Sequence, residues 1–339
     1  MNIALVMTTI NIPTVLELYR RHGPDVHIIV VGDYKTDPGA AAYCHELDCH
    51  YLSVDDQKAL GYKVSELIGW NCVMRRSIGV LEAVRSGADV IVTVDDDNIP
   101  KYRDYFEQVE AAFEYDVECS MAESVTGFFN LGDFAIDRYT YRGYPFTLRS
   151  KTTPYTFRDA LVKVGILNGL IYGDPDISAA ERIIRNPDVR VYQTRATDGI
   201  ALAHDTWSPV NAQNTAWARE LSPLAFCASG IGRYDDIWGS YIAQQVMSGT
   251  DYHVMFGQPH VNQKRGVNNG WKNTMRCLKD EIMGMEYTED FIKRVKCVPM
   301  HPDDIMGNYS RIADELSMPL YIDMAIQMRA WLEDVCKIL

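Results

Sequence analysis

The chain has no apolar run near the roughly 18 residues of a membrane-spanning helix, so no membrane span is expected. It lacks the Gly-x-Gly-x-x-Gly turn after its first strand-like segment, which removes support for a dinucleotide such as NAD. Cysteines paired at zinc-ligand spacing are also missing. The eight cysteines are scattered, and Cys44-His45-Glu46-Leu47-Asp48-Cys49-His50 has no second pair to complete a site, so a helix end and loop is the better account. No basic segment precedes an apolar core at the N-terminus. The expectation is therefore no signal peptide, reduced thiols and a cytoplasmic setting. Positive charge is in deficit, with 33 Lys and Arg against 46 Asp and Glu and a net charge of -13. Such a chain repels nucleic acid and anionic membrane at long range. A nucleic-acid partner is disfavoured unless a local basic groove around Arg149, Lys151, Lys264 and Arg265 provides for one.

What is present is an ordinary globular composition, 47% apolar and 23% charged over 339 residues, enough for a sizeable core. The dominant stretch is Val90-Ile91-Val92-Thr93-Val94-Asp95-Asp96-Asp97-Asn98. A β-branched apolar run reads as a central strand of a parallel sheet. The carboxylates then fall at its C-terminal edge, where open α/β sheets bind ligands. Three adjacent acids repel, and a hard cation, Mn²⁺ or Mg²⁺, would relieve this while bridging to substrate phosphates. Alternation along an extended chain points Asp95 and Asp97 one way, as metal ligands, and Asp96 the other, toward cofactor or substrate. An acidic loop capping the next helix is the simpler alternative.

Before this stretch, residues 3–9 form a first strand ending in Thr8, Thr9 and Asn11, where a base or ribose could be held. A helix follows to about Arg21, and Val26 to Val31 form a second strand ending in Gly32-Asp33. An acid in the position of Asp33 suits a nucleotide's ribose or base, or is a plain turn residue. Leu60-Gly61-Tyr62-Lys63 is a loop with a lysine. The next helix buries Met74, Ile78, Leu81 and Val84 and carries Arg75 and Arg76 early. Lys63 and these arginines suit a metal-bridged diphosphate, although a solvated helix face explains the arginines nearly as well.

The second half offers fewer signals. Arg142-Gly143-Tyr144-Pro145-Phe146-Thr147-Leu148-Arg149 reads as a loop or edge strand flanked by arginines. Asp174-Pro175-Asp176 is a turn, and residues 181–195 read as peripheral. In Phe226 to Trp238, small residues allow a close backbone approach to a ligand beside Arg233. Asp235 and Asp236 either start the following helix, where acids are favoured, or face a sugar as base or hydroxyl acceptor. His260 is a candidate metal ligand or phosphate contact. From Thr288 the chain is helical, with a one-face stripe from Tyr321 to Ile338 that packs on the body or, less simply, forms an oligomer interface.

Five of these segments, in order, carry a resemblance: Leu60 to Lys63, Thr93 to Asp97, Arg142 to Arg149, Asp174 to Asp176 and Ile231 to Trp238. Together with Met328 to Glu333 they resemble the reversibly glycosylated polypeptides, the UDP-arabinopyranose mutase family, which has a GT-A glycosyltransferase fold. The resemblance implies a GT-A-like α/β domain over residues 1–287, with a mixed, mostly parallel sheet flanked by helices. Residues 288–339 are then a helical C-terminal extension. It further implies a UDP-sugar substrate, a Mn²⁺ or Mg²⁺ ion on Asp95 and Asp97, and reversible attachment of sugar to an arginine, which maps to Arg149 with Arg142 as its partner. The segment after Asp33, residues 120–140 and 178–215, and the placement of His260 depart from the family pattern.

The expected function is that of a metal-dependent enzyme acting on a UDP-sugar, with UDP-arabinose the leading substrate. One alternative is a glycosyltransferase passing the sugar to a separate, unidentified acceptor. The other is a non-catalytic glycosyl carrier or scaffold, which would survive loss of Asp95 and Asp97.

Overall fold

The computed structural model describes residues 1–149, 153–264 and 270–339. Lys151 and Arg265 lie outside these described residues. The architecture is mixed α/β, with one large mixed sheet flanked by helices and a C-terminal helical region. The strands are β1 (Ile3–Thr8), β2 (His27–Val31), β3 (His50–Leu52), β4 (Val90–Asp95), β5 (Asn98–Pro100), β6 (Val117–Ser124), β7 (Tyr155–Gly173), β8 (Ile200–Leu202), β9 (Asn214–Ala218) and β10 (Tyr252–Gln263). Among the described residues the order is β3-β2-β1-β4-β9-β7-β6-β8-β10-β5, with β7 also paired to β10.

From β3 to β4 every pairing is parallel. Such strands are buried on both faces and are largely apolar; β1, β2 and β4 are so, apart from His27, Thr93 and the terminal Thr8 and Asp95. Alternation sends Leu5, Met7, Val92 and Val94 into a core with Tyr19, Tyr105 and Phe106. Ala4, Val6, Ile29 and Ile91 enter a second core on the opposite face, under the helix Arg76–Arg85. The register matters for function. Thr8 pairs with Asp95 across β1 and β4 and with Val31 across β1 and β2. The residues just beyond these strands therefore emerge at one edge.

Antiparallel pairing enters at β9 and continues in β6–β7, β8–β10 and β5–β10. The 19-residue β7 pairs with β6 along its first half and with β9 and β10 along its second. The Arg142–Arg149 segment is a loop and not an edge strand, and it holds one short 3₁₀ turn, Phe146–Leu148.

The C-terminal helices begin earlier than 288. One helix, Trp271–Cys297, runs unbroken through that position. In the last helix, Ile322–Ile338, the expected stripe is buried at Met324, Ala325, Met328, Trp331 and Val335. Trp331 stacks on Phe226 with ring centroids 5.1 Å apart and donates to the Pro223 carbonyl at 2.7 Å. No helix is long and apolar enough to cross a membrane, among the described residues.

Candidate functional site

A cleft of about 260 Å³ opens where β1, β2 and β4 end. Its walls include Thr8, Thr9, Asp33, Cys72, Arg75 and all three acids Asp95, Asp96 and Asp97. Parallel pairing and register bring these residues together from three separate segments.

The three carboxylates diverge. Strand geometry ends at Asp95, so simple alternation does not continue through the triplet. Asp95 is ion-paired to the buried guanidinium of Arg76. Asp96 accepts from the Thr9 hydroxyl at 2.6 Å. Asp97 accepts from the Gln263 amide at 3.5 Å, so it looks toward β10. Arg76 pairs with one acid of the three, and all three line one cleft as hard oxygen donors. Mg²⁺ and Mn²⁺ commonly take one or two protein carboxylates and complete their shell with water and substrate phosphate. The donor set therefore fits such an ion without a preformed cage.

Asp33 is held beside this edge. It accepts from the amides of Tyr34 at 2.7 Å and Cys72 at 3.2 Å. Arg75 lines the cleft, yet it is 1% exposed and its donors already bond Gln57, Ser65 and Gly69. It braces the cleft wall instead of offering a free guanidinium to phosphate. Lys63 does not join the site: it starts the helix Lys63–Ile68 and forms an ion pair with Glu333 of the last helix.

His260 does not meet Asp95 and Asp97 either. It precedes Gln263 by three strand positions, roughly 10 Å, and three steps reverse the side-chain direction. Its ring lies between Tyr102 and Tyr172, at 5.7 and 5.3 Å. Burial, aided by Lys101, pulls its pKa down to about 4.

A second and larger pocket, about 950 Å³, lies on the other side of Gln263. Arg233, Asp174, Arg182 and Glu281 help line it. Behind it is a buried charge network. Arg142 donates to Asp176 through Nε at 2.9 Å and Nη2 at 2.8 Å, and to Asp236 through Nη1 at 3.0 Å and Nη2 at 3.1 Å. It also bonds the carbonyl of Arg233. Arg142 is thus fully engaged as a clamp, which corrects its expected role as the partner of Arg149. Asp236 is held by this clamp and by the Ala212 amide at 3.2 Å. Asp235 is buried beside it, and burial together with Asp236 pushes its pKa up to about 7. Gly232 permits the preceding turn: its φ is +64°, and a β-carbon there would overlap the Asp280 carbonyl.

Arg149 packs against the start of the helix Ala179–Ile184. Its Nη1 donates to Ser178 Oγ at 3.1 Å, Glu181 lies at 3.7 Å, and the Phe146 ring lies under the guanidinium at 4.1 Å. Nη2 has no hydrogen-bond partner although it is buried. Burial lowers the pKa of this arginine. Arg233 bonds Glu281 at 3.0 Å, and the other Glu281 oxygen accepts from the Ala179 amide at 2.7 Å.

The segment that reads as peripheral, 181–195, supplies part of the large pocket's wall through Arg182 and residues 186–190. Glu281 gives no sequence signal, being one acid in a charged helix. Ser178 and Glu181 do give one, since Ser followed three residues later by Glu marks a helix start; Ser178 caps that helix.

Fold and cleft define a class: an α/β protein whose polar cleft opens at the carboxyl edge of a parallel strand set, backed by a charged second pocket. The chain belongs to the reversibly glycosylated polypeptide family, whose model matches residues 1–334. It is 25% identical to UDP-arabinopyranose mutase 1 of Oryza sativa subsp. japonica, over 97% of this chain and 89% of that protein. It is 26% identical to UDP-arabinopyranose mutase 1 of Arabidopsis thaliana, over 97% of this chain and 90% of the relative. UDP-arabinopyranose mutase 2 of Arabidopsis thaliana is 27% identical, over 85% of this chain and 76% of its own length.

Proposed function

We propose that this protein is a UDP-sugar mutase of GT-A type that interconverts UDP-arabinopyranose and UDP-arabinofuranose with a divalent cation. The observation that carries the reading is the common edge at which Thr8, Asp33 and Asp95 to Asp97 line one cleft. It is joined by membership of a family whose named relatives are UDP-arabinopyranose mutases. The base and ribose occupy the Thr8–Asp33 side and the diphosphate reaches the acids. Asp97 and the Asp95 oxygen not bound by Arg76 would hold Mn²⁺ or Mg²⁺. A bound ion supplies Lewis-acid stabilisation of the charge on the departing UDP.

The chain's own residues do the rest. Arg233 and the neighbouring turn shape the sugar pocket. Arg149, desolvated and with Nη2 unpartnered, receives C1 of the sugar as the C1–O bond to UDP breaks and its electrons leave with the phosphate. Glu181, 3.7 Å from Nη1, would take the guanidinium proton once it closes to hydrogen-bond reach. The C1–O5 bond then breaks as O5 takes a proton, and O4 gives up its proton and bonds C1. A UDP oxygen re-forms its bond to C1 as the C1–N bond to Arg149 breaks, and Arg149 recovers its proton. No oxidant or reductant is needed. Asp235, its pKa raised to about 7 by burial and Asp236, is suited to exchange protons with a sugar hydroxyl.

A second reading has one observation in its favour. The adjoining pocket of about 950 Å³ exceeds what a pentose needs, so a transferase with a separate acceptor would find room there. Incubation with UDP-arabinopyranose and Mn²⁺, without acceptor, separates the two. NMR should show UDP-arabinofuranose, and mass spectrometry a pentose adduct lost in Arg149→Ala. Slow release of UDP with no furanose would overturn the mutase in favour of the transferase.

A further inference from the structure

The cleft wall formed by Asn71, Cys72, Val73 and Arg75 is not carried by the sheet. It follows the helix Lys63–Ile68, which has only six residues. A helix so short is not stable by itself, and its first amides need acceptors. Tyr62 at its cap position provides no side-chain acceptor. The acceptor comes from 270 residues away: Asp334 Oδ2 takes the Val64 N–H at 2.8 Å.

Asp334 is fully buried, and its other oxygen bonds Lys337 Nζ at 3.0 Å. Its helix is fixed to the body at two further points. Trp331 bonds the Pro223 carbonyl at 2.7 Å, and Gln327 accepts from the Ser229 amide at 2.8 Å. Asp334 is thus a fixed post for the short helix.

The helix passes this position on. Arg75 donates to the Ser65 carbonyl and hydroxyl, both at 2.9 Å, and to the Gly69 carbonyl at 3.3 Å. Trp70 lies 3.8 Å from the guanidinium. The next turn brings the Cys72 amide to Asp33 at 3.2 Å. Hydrogen bonds linked by short stretches of backbone therefore join the last helix to the carboxylate assigned to the ribose or base.

We propose that Asp334 is a positioning residue for nucleotide binding, acting as a long-range cap that holds the cleft wall against Asp33. The proposal deepens the UDP-sugar reading and rests on it.

UDP binding by titration calorimetry, with Mn²⁺ and the full chain, tests this without reference to turnover. Asp334→Ala should weaken UDP about tenfold, the scale of one lost cap. Asp334→Asn, whose amide oxygen can still accept the Val64 N–H, should restore most of the affinity. Gln327→Ala removes the bond to Ser229 and leaves Val64 capped; it should lower Tm while leaving the UDP Kd unchanged. Should Asp334→Ala fail to fold, Ser65→Ala probes the next link and should weaken UDP by a smaller factor. Wild-type affinity in Asp334→Ala, or in Ser65→Ala where that variant stands in, overturns the proposal. So does equal weakening in Gln327→Ala, which would mean general loss of stability. Absence of UDP binding by the wild type overturns the functional reading, and this proposal with it. A wild type that binds while the Asp334 variants behave alike removes the proposal alone.

Discussion

In the β3-β2-β1-β4 half of the sheet, the polar residues Thr8, Thr9, Asp33 and Asp95 to Asp97 of the cleft stand at or just past the ends of short apolar strands. In the half built from β6 to β10, the charged groups come from loops and helices far apart in sequence, and they neutralise one another in a buried network. The first arrangement gathers three acids along the wall of one open cleft. The second uses most of its charge internally. Removing a charge should therefore harm ligand chemistry in the first half and folding in the second.

The largest expected effect is in the second half. Arg142→Ala removes the guanidinium that bonds the carboxylates of both Asp176 and Asp236 and should cost about 3–5 kcal/mol, read from chemical denaturation. If the loss is under about 1 kcal/mol, the clamp is not what holds the second half together. Next comes the cleft. If the proposed UDP-sugar reaction holds, Asp97→Ala should cut turnover about 10²-fold or more, by weakening charge stabilisation at the diphosphate, with a smaller change in denaturation midpoint than Arg142→Ala. A large midpoint loss with normal turnover would invert the contrast.

Two buried titrating groups sharpen it further. Asp235 is raised to about 7 from the usual carboxylate value. As pH rises from about 4 to 7, the unfolded chain loses this proton first, so folding stability falls. His260 is lowered to about 4 from the usual imidazole value. Between about 4 and 6.5 the unfolded chain holds that proton while the folded chain does not, so stability rises with pH. The two trends oppose. Asp235→Asn should give a stability that rises with pH across that window, and His260→Gln one that falls, relative to a flatter wild type. Denaturation midpoints at a series of pH values check the signs. The smallest effect is expected on the surface. Lys63→Ala breaks an exposed pair with Glu333 and should leave both the denaturation midpoint and UDP affinity unchanged, since exposed pairs often contribute nothing measurable.

Much of the first half was legible from neighbouring residues alone. The apolar runs of β1, β2 and β4 and the acids that follow them set strand type, burial and the edge where polar groups appear, because parallel strands covered on both faces tolerate little else. The apolar stripe of the last helix was legible for a similar reason, as burial follows helical periodicity. Family membership was also carried by short segments, Arg142 to Arg149 and Ile231 to Trp238 among them.

Tertiary structure alone decided which charge meets which. Arg75 and Arg76 are adjacent, yet one braces the wall through Gln57 and Ser65 while the other pairs with Asp95. Asp235 and Asp236 are adjacent too, and only Asp236 is clamped by Arg142. Sequence spacing cannot separate such neighbours, because their fates depend on what approaches from 18 to 94 residues away. The same holds for Asp334, whose partner Val64 lies 270 residues earlier. Local pattern determines where a side chain starts, and long-range packing determines whether it is left for a ligand or taken by another part of the chain.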